Sequence, residues 1–289
     1  MSFDEFMKTA WNDHADKADE VATRLVASLH VVESAGQIPR YASLVTHVYG
    51  EHLGQWSGGV ALHEALRGSR AFDGSPEARG ALDRGIAALN YCAGDASALL
   101  PLAADDRVAV LAVVSSAMLG RHDHAAALAA FDEALQRAQG GLPAGSPALR
   151  SLAIGGNNLA AALEEKPDRD ATQTAGMLRA AEAGVKYWTL AGGWLEHERA
   201  EYRLTRSLLQ AGQPGAAAAA ARRCLDVCAA NDAPDFERFF GHAVLALALR
   251  AAGDTAGYGA SRQQALACYA NVPPDEQQWC AGELRELGA

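Results

Sequence analysis

Long apolar runs, paired cysteines, basic clusters and the usual catalytic signatures are all scarce in this 289-residue chain, and each scarcity excludes something. The most apolar stretch, 108–119, is interrupted by Ser115 and Ser116. It is too short for a bilayer core, which takes about 20 apolar residues in a helix. The five cysteines, Cys92, Cys224, Cys228, Cys268 and Cys280, are dispersed and odd in number, so a disulfide framework is not expected. Lys and Arg total 25 against 35 Asp and Glu, a formal net charge of −10. That balance argues against general binding to a nucleic-acid backbone, which needs basic patches. There is no GxSxG, no Walker loop, no GxGxxG after a strand and no HExxH. Extended Val/Ile/Thr alternation is absent too, which removes the main sign of a sheet. The opening Met1-Ser2-Phe3-Asp4-Glu5 is acidic and amphipathic, unlike a secretory leader. These exclusions lead to the expectation of a cytoplasmic protein without membrane or nucleic-acid partners.

What is present is alanine and helical periodicity. Ser2 and Glu5 form a Ser-x-x-Glu capping box, followed by Phe3, Phe6, Met7, Ala10 and Trp11 on one face. Ala18, Val21, Ala22, Leu25, Val26 and Leu29 repeat the pattern, and 40–53, 59–68 and 76–93 read as further helices. From about residue 105 the pattern becomes regular. Ser115, Ala160, Thr205 and Ala246 recur at intervals of 45, 45 and 41 residues, the last three each seven residues before a helix stop at Pro167, Gly212 or Gly253. Glycine can take the left-handed conformation that closes a helix, and proline cannot continue one. The predicted pairs are 105–119 with 123–139, 146–165 with 170–190, 194–211 with 214–230, and 234–252 with 255–271. A self-similar period of this length is the signature of a helical solenoid.

The small residues at fixed offsets carry a family resemblance. Thr205, Gly212, Ala217 and Cys224-Leu225, then Ala246, Gly253 and Ala265-Leu266, resemble the tetratricopeptide repeat. Ser115, Ala127 and Ala134-Leu135 also fit, with Gly120 two positions early. Thr172, Arg179 and Tyr258 depart from the pattern, and Lys166-Pro167-Asp168-Arg169-Asp170 lengthens one turn. The resemblance implies an all-α, right-handed α-solenoid of antiparallel helix pairs. Residues 1–104 would form an N-terminal helical region continuous with the array, 105–271 the repeats and 272–289 a capping helix.

In this family the first helices line a concave groove. The matching positions here are Arg199, Tyr202, Arg203 and Arg206, with Asn157 and Asn158 in the preceding pair. Arginine offers a donor fork to carboxylates, and asparagine both donates to and accepts from an extended backbone. The implied partner is a protein or peptide segment bearing acidic side chains or a C-terminal carboxylate. The competing account makes Arg199 to Arg206 a solvated face paired with Glu196, Glu198 and Glu201. Tyr187, Trp188 and Trp194 around Gly192-Gly193 read as a joint between repeats, with a ligand wall as the alternative. His47, Glu51 and His52 have metal-ligand spacing, and His122-Asp123-His124 lies in a turn, but neither group has a convergent third ligand in sequence. No metal or organic cofactor is expected. The resulting function is a non-catalytic scaffold for protein or peptide binding. A ligand- or peptide-sensing regulatory module and an enzyme on a helical scaffold are the alternatives.

Overall fold

The computed structural model describes residues 1–289 and contains helices and turns but no strand. The chain divides into two compact units, Met1–Gly155 and Gly156–Ala289. The division falls inside the helix Pro147–Glu165.

The first unit begins with α1 (Phe3–Asp13), whose start is the expected reciprocal box of Ser2 and Glu5. Helix α2 (Ala18–Ala27) follows, then two short turns and α3 (Ile38–His47). The segment Val48–Leu53 continues α3 as a π-turn and stops at Gly54, which is left-handed at φ 63°. Helices α4 (Trp56–Arg67), α5 (Pro76–Cys92), α6 (Ala104–Gly120) and α7 (His124–Arg137) come next, and then the first half of α8 (Pro147–Glu165). Helices α3, α4, α5 and α6 pack successively, and α6 packs on α7. Phe6, Met7, Leu25, Ile38, Tyr41, Leu44, Leu66 and Leu82 fill a core at 2% exposure or less. The buried Tyr41 hydroxyl donates to the Leu25 carbonyl, satisfying a polar atom that burial would otherwise penalise.

The second unit holds the rest of α8, then α9 (Ala171–Ala191), α10 (Trp194–Gln210), α11 (Pro214–Ala230), α12 (Asp235–Ala251), α13 (Thr255–Tyr269) and α14 (Ala281–Leu287). From α9 to α13 each helix packs on the next, and α14 packs on α12. The small residues meant for helix crossings are fully buried: Thr205, Ala217, Cys224, Ala246 and Ala265 are all at 0% exposure. Cys228 is also in the core.

Observed helix ends lie within two residues of the expected ones from α6 to α13 because the stop residues act as expected. Gly212 and Gly253 have φ of 69° and 80°. The amides of Gln213 and Asp254 bond back to the Leu208 and Leu249 carbonyls at 2.9 Å. The same bond, Asp123 to Met118 at 3.0 Å, closes α6, but there the left-handed residue is His122 at φ 59°. Gly120 therefore does not make the turn. It is the last helical residue of α6, and a Cβ on it would lie 2.2 Å from the Glu51 carbonyl oxygen. Its missing side chain is what admits the π-turn. The lengthened turn after α8 is closed by Arg169, whose Nη1 donates to the carbonyls of Leu163, Glu164 and Lys166. Helix α9 accordingly buries Gly176, Ala180 and Gly184 in place of Thr172 and Arg179, which are exposed.

Candidate functional site

Helix α10 carries the four groove candidates on one face, and each holds a carboxylate from another helix. Arg199 Nη2 donates to Glu237 of α12 at 2.6 Å. Arg203 Nη1 donates to Glu164 of α8 at 2.5 Å, and the other oxygen of Glu164 accepts from Ser207 at 2.6 Å. The Tyr202 hydroxyl donates to Glu283 of α14 at 2.5 Å. Arg206 Nη1 reaches both oxygens of Glu286 of α14, at 2.9 and 3.0 Å. The strip thus has two kinds of partner. Glu164 and Glu237 are buried, with side chains 8% and 7% exposed, whereas the Glu286 side chain is 43% exposed.

Of the acids of α10 itself, Glu196 and Glu198 act on Arg199 through their charge, and Glu201 pairs with another helix. Glu201 accepts a two-pronged contact from Arg223 of α11, both bonds at 2.8 Å. Glu198 is buried beside Glu237 and accepts from the Cys224 thiol at 3.0 Å. Burial, reinforced by Glu237, pushes the Glu198 carboxyl up to about 8. Burial likewise raises Glu164, against the lowering pull of Arg203. The Cys224 thiol is held protonated by its hydrogen bond with Cys228, by burial and by Glu198, so it offers no thiolate nucleophile.

The asparagines lie differently. Asn158 is exposed. The Asn157 side-chain oxygen is buried against α9, where a Cβ on Gly184 would meet it at 2.2 Å, and it has no hydrogen-bond partner. Tyr187 and Trp188 are buried at 3% and 7% exposure, as expected of a packing joint.

In the first unit the fold brings three imidazoles together. Ligand-capable nitrogens of His14, His47 and His52 all lie within 4.8 Å of one another. His47 Nδ1 is 3.1 Å from Glu51 Oε1, the contact expected from their spacing. His14 stands just past the end of α1, and only the tertiary fold places it beside the α3 pair. Trp11 packs against both His14 and His47, with centroids 5.1 and 5.2 Å apart. Burial holds His52 below its ordinary value, helped by the neighbouring His47 and His14. No family model matches this chain, and no curated protein is significantly similar to it.

Proposed function

We propose that the chain is a non-catalytic helical-repeat scaffold that docks an acidic segment of a protein partner on the α10 face. In this proposal residues 105–271 form a tetratricopeptide-like, right-handed array of antiparallel pairs in a cytoplasmic protein, with 272–289 as its cap. The observation that carries it is the carboxylate pairing of Arg199, Tyr202, Arg203 and Arg206 along a single helix face. Glu164 and Glu237 are buried and serve as fixed counter-charges. Glu283 and Glu286 sit on a short terminal helix, and they are the pair a partner's carboxylates would replace. Arg199, with a side chain 56% exposed, is the most open cation of the strip and the first contact for an incoming anion.

Exchange of one carboxylate for another keeps the number of charge-assisted bonds nearly constant, so binding is expected to be modest and salt-sensitive. Calorimetric titration with a synthetic peptide of repeated Glu and a free C-terminus tests the proposal. Binding that is lost with the amidated Gln counterpart supports it, and equal binding of the two peptides rejects it.

A further inference from the structure

We infer that His14, His47 and His52 form a binding site for a divalent transition-metal ion of the zinc class. Three features converge. The first is tautomer control. His14 Nδ1 lies 2.5 Å from the Trp11 carbonyl, which only accepts, so Nδ1 carries the hydrogen and Nε2 presents its lone pair. His47 Nδ1 faces the Glu51 carboxylate at 3.1 Å, with the same consequence for its Nε2. A carbonyl or carboxylate behind the ring is the usual support of a metal-binding histidine.

The second feature is distance. His47 Nε2 and His52 Nε2 stand 3.1 Å apart. Zinc at about 2.0–2.1 Å from each nitrogen, in tetrahedral geometry, requires nitrogens about 3.4 Å apart and ring centroids about 5 Å apart. The three centroid separations are 4.8 Å for His14–His47, 5.1 Å for His14–His52 and 4.8 Å for His47–His52. All three ligand-capable nitrogens lie within 4.8 Å of one another, so the side chains must close by about 1.4 Å at most to share one ion.

The third feature is the backbone that creates the cluster. At 3.6 residues per turn, side chains five apart point roughly 140° away from one another. The π-turn over Val48–Leu53 instead stacks residues five apart, which aligns His47 with His52. That unusual turn is held from three sides. Gly50 packs against Leu89 and Ala117, the Glu51 carbonyl sits over Gly120, and Arg121 Nη1 donates to the His52 carbonyl at 3.1 Å. Such turns occur frequently at functional sites. Three protein nitrogens leave the fourth tetrahedral position for water or an external ligand.

The test uses the full chain at neutral pH with zinc sulfate in equilibrium dialysis and with cobalt(II) as a spectroscopic probe. About one ion per chain is expected. The cobalt form should show the intense visible bands of a tetrahedral nitrogen site, without the charge-transfer band of a cysteine ligand. H14A and H52Q should each weaken binding by at least about tenfold, and E51Q by about tenfold through the loss of His47 orientation. The H124A variant should bind as the parent does. Absence of binding in the folded parent protein overturns the inference, as does undiminished binding in H14A and H52Q. A cobalt spectrum with sulfur charge transfer does so independently of how well any variant folds.

Discussion

The α10 strip and the histidine cluster are both convergent sets of polar side chains, and they differ in where their counterparts come from. On α10 the chain supplies every counterpart itself, a carboxylate for each arginine and for Tyr202. In the cluster the lone pairs of His14 and His47 face inward with their opposite nitrogens already tied to Trp11 and Glu51, and what they face is another imidazole. A ligand at α10 must therefore exchange with a carboxylate, while a cation at the cluster displaces only the hydrogen between His52 Nε2 and the His47 Nε2 lone pair. The first arrangement favours reversible, salt-dependent recognition; the second favours a discrete stoichiometric site.

The sharpest way to break this contrast leaves every polar group in place. G120A would push a methyl group into the Glu51 carbonyl, 2.2 Å away in the present geometry, and force α6 from the π-turn. Backbone cannot yield as a flexible side chain does, so a loss of about 3 kcal/mol in denaturant unfolding is expected, with loss of metal binding. G259A, where nothing lies within 4 Å, is the control and should be neutral or stabilising. Equal stability of the two variants would remove the structural reason for the π-turn.

Next in size is R203A, which strands the buried Glu164 with Ser207 as its remaining donor. Breaking a buried pair from one side costs more than the pair contributes, and about 2 kcal/mol is expected because Arg203 is partly solvated. A change below about 0.5 kcal/mol would mean that Glu164 is served by water.

Glu198 separates the two regions by pH. Its folded value near 8 lies above the ordinary 4.5, so the native state holds the proton more tightly than the unfolded state. The stabilising contribution is full below about pH 4.5 and declines as pH rises toward 8. E198Q should remove that decline, so that its stability exceeds the parent's by a margin that grows between about pH 5 and 8. Unfolding curves across this range check it, and parallel pH dependences would contradict the assignment. The smallest effect belongs to the exchangeable end. E283Q/E286Q should change stability by less than about 1 kcal/mol, because the Glu286 side chain is 43% exposed and an amide oxygen at position 283 still accepts from Tyr202.

How much of this was legible in the sequence follows from what kind of interaction sets each feature. Helix ends depend on local chemistry, and Ser2, Gly212 and Gly253 behave as their residue types require. His122 takes the left-handed turn in place of a glycine, which few non-glycine residues do even though histidine is among the more tolerant of it. The early glycine, Gly120, acquires its reason only from the Glu51 carbonyl, 69 positions earlier in the chain. The partners of α10 come from α8, α12 and α14, so their long-range pairing could not be read from spacing within α10. Glu283 and Glu286, within the expected cap 272–289, meet Tyr202 and Arg206. The His47 and Glu51 contact was visible as i, i+4, but periodicity does not distinguish an α-turn from a π-turn. His14 enters from another helix. The candidate metal ligands were therefore two-thirds visible, and the geometry that makes them a site was not.

The most direct measurement of the central claim, carboxylate exchange on α10, is a parallel titration of the acidic peptide against the parent chain, E283Q/E286Q and R199A/R206A. Removing the internal competitors should strengthen binding, and removing the two cations should weaken it, each by about tenfold if one charge-assisted contact is gained or lost. Identical affinities for all three proteins would contradict the account and leave the α10 network with a purely structural role.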